Sequence, residues 1–461
     1  MRNGTRTLNA TIVGAAVAGL LLSGCGSSGK TDAVSADGTV KISIGGLPDN
    51  TKPEERKAFI AETTAFQKAN PKIKLEASEL LWDQQTFSAQ LAGGTLPTLM
   101  DVPYGEMKGL IERKQVKDLT AQVKKSETLS SINDSLMKTG KNASGNIYGV
   151  PVAAYSIGLV INRDLFKKAG LNPDQPLTSW VQMAQAAQQI TEKTGKKGFE
   201  HPSTEGYGGW LLGAMINGFG GNVLSENGGK YAANLDSDAA HQSLQFIKDL
   251  RWKAKAMGTN ALPSSNDVNN DFAAGEVGMI ITGADAYQNF TVKMKFPKAN
   301  YGTLPLPQDT DGLGTSGGGR IAILRPDATD QQVSAAMKWI EWHFFNKYAN
   351  KDAALVAAKA AAADGLPVPS VGLPLITQKR WDTYMGWIAP QVNVPMANLK
   401  PYMDSSATMP IVDEPMVAGQ DLFAALDVPI QAVLSRQNAD IDALLKAAQV
   451  VGSKATEAAQ K

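Results

Sequence analysis

Hydrophobic and polar residues alternate over Lys41, Ile42, Ser43 and Ile44, and Gly45 and Gly46 follow, which predicts a short strand running into a loop. Over Pro53–Ala69 the period lengthens: Phe59, Thr63 and Phe66 share one helical face until Pro71 stops it. Ile73, Leu75 and Ala77 alternate as a second strand, 82–92 returns to helical spacing, 98–102 reads as a strand, 106–113 as a helix and 150–162 as a long apolar strand. This β-α-β-α order argues for open α/β sheets with helices on both faces. Further on, helices are expected over 178–193, 238–257 and 331–345, and glycine-rich turns at 206–209, 218–221 and 317–319. From Ala353 the chain reads as mostly helical, interrupted at Pro367, Pro369 and Pro374 and fraying over 453–461. No fixed-period repeat is visible, which excludes solenoids and propellers.

The first residues follow another pattern. Arg2 and Arg6 precede an apolar run over 12–22, the length of a signal-peptide core and shorter than the ~20 apolar residues that span a bilayer. Cys25, the only cysteine among 461 residues, comes next, so no disulfide can form within the chain. Leu22-Ser23-Gly24-Cys25 resembles the lipobox of bacterial lipoproteins, which implies cleavage before Cys25 and acylation of its sulfur. Each buried acyl methylene contributes ~0.8 kcal/mol, so two or three chains such as palmitate hold a protein firmly on a membrane. Residues 26–38, rich in Gly, Ser, Asp and Ala, read as a tether. The expected order is a lipoprotein signal peptide over 1–24, a lipidated flexible tether over 25–39, and then a body too large for one hydrophobic core, hence two lobes. Lysine and arginine (45) balance aspartate and glutamate (44) without a basic stripe, so nucleic acid is not an expected partner.

Little supports an enzyme. His201, His241 and His343 are far apart, no HExxH, GxSxG or P-loop sequence occurs, and no metal or other cofactor is expected. Glycoside hydrolysis needs only two carboxylates, so a surface glycan-active enzyme stays open as an alternative. Loop aromatics say more. Trp82, Tyr104, Tyr155, Tyr207, Trp210, Tyr287, Trp381 and Tyr384 fall near strand ends or glycine-rich turns, several beside acids: Trp82-Asp83, Glu205-Gly206-Tyr207, Asp285-Ala286-Tyr287. A sugar ring has a C–H face that an aromatic covers and a hydroxyl edge that carboxylates, amides and arginine bind. Open α/β sheets bind ligands beyond the carboxyl ends of their strands, so the group points to a ligand cleft.

Several segments, in order, resemble the family 1 extracellular solute-binding proteins of bacterial ABC sugar importers. "KISIGGLPD" resembles the family's first strand and ligand loop, and "FIAETTAFQKANPKIKLEASE" its first helix and second strand. "NIYGVPVAAYSIGLVINRDLFKKAGL" is similar to the segment that crosses between lobes. "PLTSWVQMAQAAQQI" resembles a helix start, with Ser179 inserted before the Trp and Gln182 in place of Glu. "DFAAGEVGMIITGADAY" and "YGTLPLP" with "TSGGGRIAIL" resemble a glycine-marked strand and the return to the first lobe.

The resemblance implies a two-lobed α/β fold of the periplasmic-binding-protein type (type II), with three inter-lobe crossings and a ligand cleft between the lobes. It places residues 40–154 plus 303–352 in lobe 1 and 155–302 plus 353–461 in lobe 2. It implies ligand roles for Asp49 in the first loop, for Tyr155 where the maltodextrin binder has an acid, and for Glu205, Tyr207 and Trp210 as a sugar-contacting motif. Asp285 and Tyr287 occupy a turn where the family often stacks a Trp, with Tyr287 as the substitute. Gly318 and Arg320 lie in the return segment, where glycines let a ligand approach the backbone, and Phe423 aligns loosely with a C-terminal aromatic. Trp82, Asp83, Asp101, Tyr104 and Trp381 complete the candidate set. Pro97-Thr98 replaces the family's Pro-Asp, so any role of that Asp is lost or moves to Asp101, and the changes at Tyr155 and Asp285 argue against a long maltodextrin. The expected function is capture of a carbohydrate, a di- or oligosaccharide or related polyol conjugate, by a monomeric lipid-anchored protein. It would face the extracellular or periplasmic side and serve an ABC permease. A glycerophosphodiester or polyamine binder on the same fold is the alternative.

Overall fold

The computed structural model describes residues 34–460 except 84, 85 and 407. The expected signal peptide and Cys25 lie outside the described residues. In chain order the strands are β1 (Val40–Ile44), β2 (Ile73–Ala77), β3 (Leu99–Pro103), β4 (Val150–Asn162), β5 (Lys197–Glu200), β6 (Leu224–Asn227), β7 (Lys230–Ala233), β8 (Val277–Gly283), β9 (Tyr301–Leu304), β10 (Thr315–Leu324) and β11 (Ile411–Asp413). They form one mixed sheet in the order β2-β1-β3-β10-β4-β8-β5, with β11 beside β10 and β9 beside β4. β6 and β7 make a separate hairpin whose two-residue turn, Gly228-Gly229, has positive φ at both positions, as this tight turn requires.

β4 and β10 carry the chain through the middle of the molecule. Val150 pairs with Ala322 and Ser156 with Gly317; then Ile157 pairs with Gly283 and Ile161 with Met279. Because β1 and β3 run antiparallel to β10, and β8 and β5 antiparallel to β4, the carboxyl ends of all four point inward. The loops that follow them face one another, which is where such sheets bind ligands.

The first core gathers Ile42, Ile44 and Val102 with Phe66 and Trp339, from the helices Pro53–Ala69 and Asp330–Ile340. The second holds Leu159, Ile161 and Phe199; Val160, on the opposite face of β4, joins an adjoining cluster with Ile280 and Tyr301. Both faces of β4 are thus covered, which explains its unbroken apolar run. The chain moves between cores three times: along β4, between Leu306 and Ile321, and between Ile388 and Val394.

The last crossing corrects the expected division. Ala354, Ala358, Trp381, Tyr384 and Ile388 belong to the first core, with Tyr348 and Tyr384 in edge contact at 5.0 Å, so the chain does not return to the second lobe at residue 353. An amphipathic helix announces one buried face and not which core receives it. Residues 317–319 are not a turn but the centre of β10, 206–209 leads into the helix Tyr207–Gly218, and the expected fraying is a helix, Ile441–Ala459. The helix expected over 82–92 occupies only Phe87–Ala92. Among the described residues no helix is long and apolar enough to cross a membrane.

Candidate functional site

Glu414, just past β11, accepts hydrogen bonds from the Tyr155 hydroxyl (2.7 Å) and from Trp210 Nε1 (2.8 Å). Tyr155 lies where β4 passes between lobes, and Trp210 lies in the first turn of the helix Tyr207–Gly218, so this carboxylate ties the crossing to the second lobe. Burial first, then the Glu414 charge, pushes the Tyr155 hydroxyl well above the ordinary tyrosine range, which keeps it a donor. The Tyr207 ring meets Trp210 edge-on at 5.0 Å.

The helix bearing Tyr207 and Trp210 is fixed from below. Asp427, in the helix Gly419–Ser435, accepts from the backbone N–H of Gly206 (2.6 Å) and of Gly209 (2.9 Å), satisfying groups that a helix start leaves unpaired. Gly209 allows the two helices to touch: a Cβ there would lie 1.9 Å from the Phe423 carbonyl oxygen. Glu205 and Gly206 both have left-handed backbone, φ 63° and 71°, and this turn leaves the Glu205 side chain exposed.

Two more acids stand nearby. Asp285 follows β8 in a short turn; it is exposed, yet the surrounding protein raises its carboxyl above the usual range, and its charge reaches Tyr155 and Tyr207. Asp413 is exposed too, yet the surrounding protein raises its carboxyl and Glu414 beside it raises it further. The Tyr104 hydroxyl is buried, feels the Asp413 charge and, among the described residues, has no hydrogen-bond partner. Tyr104, Asp413 and Glu414 line a cavity of about 770 Å3 whose other walls include Lys138 and Lys141 of the first lobe and Asn222 and Tyr231 of the second. Lys108 and Glu226, on opposite lobes, also line it and form an ion pair. A cavity of about 280 Å3 shares Gly105 and Tyr231 with this one and reaches Trp82. A third, of about 450 Å3, continues from Trp82 to Asp101 and Arg320. A separate groove of about 750 Å3, between Trp180, Phe219 and Phe246, contains none of the predicted site residues.

The structure therefore brings Tyr104, Tyr155, Tyr207, Trp210 and Asp285 towards one centre, with Glu205 at its edge. Trp82, Asp101 and Arg320 line the far cavity, where Arg320 Nε donates to Asp101 at 2.6 Å. Asp49 and Asp83 sit in exposed loops and accept local bonds from Thr51 and Thr86. Three expectations are corrected. Tyr287 is fully buried against Tyr301, and Trp381 packs in the first core beside Tyr384, so neither faces the cleft. Gly318 does not leave room for a ligand: a Cβ there would come within 3.0 Å of the Tyr155 hydroxyl, while Gly319 gives the same clearance to Tyr104. The glycines of β10 thus seat two tyrosines. Phe423 packs under Gly209. Sequence reasoning missed Asp413 and Glu414; the adjacent acids between Pro410 and Pro415 were the only local sign.

Residues 50–350 match the family of bacterial extracellular solute-binding proteins. The Escherichia coli (strain K12) protein YcjN, by name a periplasmic-binding protein of an ABC transporter, is 25% identical over 64% of this chain, which spans 61% of that protein's length. The maltodextrin-binding protein of Bacillus subtilis (strain 168) is 24% identical over 72% of this chain and 75% of its own. Among solved structures, the cyclic alpha-maltosyl-1,6-maltose binding protein of Arthrobacter globiformis superimposes with a TM-score of 0.65 at 21% identity, covering 91% of this chain and 100% of the other, so the two-lobed fold is shared. The matched residues make up well over half of the sequence, and the chain belongs to the bacterial extracellular solute-binding protein family.

Proposed function

We propose that this protein captures a carbohydrate between its lobes and presents it to the permease of an ABC importer, acting as a monomer without turning the ligand over. The observation that carries this reading is the acid–aromatic centre at the crossing: Glu414 bonded to Tyr155 and Trp210, with Tyr207 and Asp285 alongside. Aromatic side chains and carboxylates gathered at one crossing match the two kinds of surface a sugar presents. The sugars named for the Bacillus and Arthrobacter proteins support the same class. Tyr104, Tyr155, Tyr207, Trp210 and Asp285 would contact the ligand, with Trp82, Asp101 and Arg320 at its far end. A phosphodiester is disfavoured, because carboxyls surround the centre and Arg320 is already committed to Asp101. Contacts from both lobes favour the closed arrangement, which is the state to dock. Attachment through an acylated Cys25 on the outer side of the membrane completes the proposal and rests on the lipobox.

Thermal shift across sugars, polyols and phosphodiesters identifies the ligand class, since binding to the folded state raises the melting temperature. Calorimetry on Tyr207→Ala and Trp210→Ala should then show affinity losses of ~0.5–1.5 kcal/mol each beyond lost area. Unchanged affinity in both removes them from the site, and release of sugar products on prolonged incubation would make the protein an enzyme. Label from a fatty-acid analogue should disappear in Cys25→Ala; label that persists would refute the anchor.

A further inference from the structure

Among the described residues no cation is paired with the carboxyls of the centre. Glu414 is held by two neutral donors, the Tyr155 hydroxyl and Trp210 Nε1. Asp413 stands beside it, its carboxyl raised by the surrounding protein and then by the Glu414 charge. Among the described residues neither Asp413 nor Asp285 is in an ion pair, while Arg320 is committed to Asp101 and Lys108 to Glu226. Lys138 and Lys141 line the same cavity, and among the described residues neither is in an ion pair with Asp413 or Glu414. Independently of these acids, Tyr104 is 4% exposed, lines that cavity, and its hydroxyl has no hydrogen-bond partner among the described residues. A buried hydroxyl of this kind is costly unless a ligand atom completes it.

Closing the lobes over a neutral sugar would strip water from neighbouring carboxyls and leave like charges together, which is unfavourable. A protonated amine offsets both costs by pairing with the carboxylates. Building on the carbohydrate reading above, we infer that the ligand is an amino sugar: an oligosaccharide whose ammonium group is held by Asp413 and Glu414, with the Tyr104 hydroxyl bonding an adjacent oxygen. Asp285, whose charge reaches Tyr155, adds to the field that attracts it.

The test compares glucosamine oligomers with N-acetylglucosamine and glucose oligomers of equal length, by calorimetry on the full chain below the pKa of the sugar amine. Glucosamine oligomers should bind at least about tenfold more tightly than either uncharged set, a gap of ~1.4 kcal/mol. That gap should shrink to less than about twofold in Asp413→Asn/Glu414→Gln, read as the ratio of charged to uncharged affinity within the variant; a gap that stays tenfold would overturn the inference. Uncharged oligomers binding as well as the amino sugars in the parent protein would overturn the inference and leave the carbohydrate proposal standing. Absence of binding by all three sets, with tight binding of a non-sugar in the thermal screen, would overturn both. Spermidine binding as tightly as the glucosamine oligomers would also overturn it, because the sugar would then contribute nothing.

Discussion

Replacing Glu414 by glutamine keeps an acceptor in place and removes the charge, so it isolates what the charge contributes to the centre. The two bonds are short, 2.7 and 2.8 Å, and converge on one oxygen. Hydrogen bonds to charged groups contribute ~1.5–3 kcal/mol and neutral ones ~0.5–1.5, so each bond should weaken by ~1 kcal/mol. Glu414 is only half-buried, which discounts the pair to a total of ~1–2 kcal/mol. Relief of repulsion with Asp413 offsets part of this loss. Tyr155→Phe removes one of the two bonds, and the double variant cannot lose that bond twice. Non-additivity of ~0.5–1 kcal/mol is expected in the cycle. Urea unfolding followed by tryptophan fluorescence and by circular dichroism measures it, read where the two probes coincide. Single-variant losses that add within ~0.3 kcal/mol would refute a bonded pair at the crossing.

His201 and Glu200 are adjacent and buried, and they should give opposite pH profiles. Burial lowers His201 from 6.5 to about 4, so the stability it contributes is present above pH 6.5 and lost as pH falls towards 4. Burial raises Glu200 from 4.5 to about 7, so its contribution is present below 4.5 and lost as pH rises through 7. Relative to the parent, His201→Gln should gain up to ~3 kcal/mol as pH drops through its window, and Glu200→Gln should lose stability on the same descent. Unfolding at a series of pH values gives both slopes, and slopes of one sign would refute the assignment. Gly209→Ala drives a Cβ into the Phe423 carbonyl and should cost ~3 kcal/mol or more, lowering the melting temperature and weakening ligand binding together; an unchanged melting temperature would contradict the close helix contact. Lys108→Ala removes the half-exposed ion pair between lobes, worth ~0–1 kcal/mol. Ligand affinity should fall no more than about fivefold, with the difference vanishing at high salt; a larger loss that persists in salt would place Lys108 on the ligand.

Local features were legible in the residue pattern because they depend on near neighbours. The alternation at 40–44 and 73–77, the helix Pro53–Ala69 and the apolar run of β4 all appear where spacing puts them. The candidate site was partly legible: Tyr155, Tyr207, Trp210 and Asp285 stand beside turns and acids, and the structure gathers them. Tyr287 carries the same local signature and is buried at 0% exposure. Two residues after Asp285, it points to the other side of its turn, against Tyr301, and nothing in the local sequence states which side faces the cleft.

What the sequence determined by itself was the local strands and helices such as those over 40–44, 53–69 and 73–77 and the kind of chemistry on offer, and the proposed export signature around Cys25 rests on it alone. Tertiary structure alone decided which residues meet. Glu414 lies 259 residues from Tyr155 and 204 from Trp210, and no periodicity links positions so far apart. The helices after residue 350 could bury their apolar faces in either lobe, and packing assigned those up to Ile388 to the first. The glycines of β10 looked like openings for a ligand and proved to be seats for Tyr104 and Tyr155, because a missing side chain shows only that something comes close, and the fold determines what.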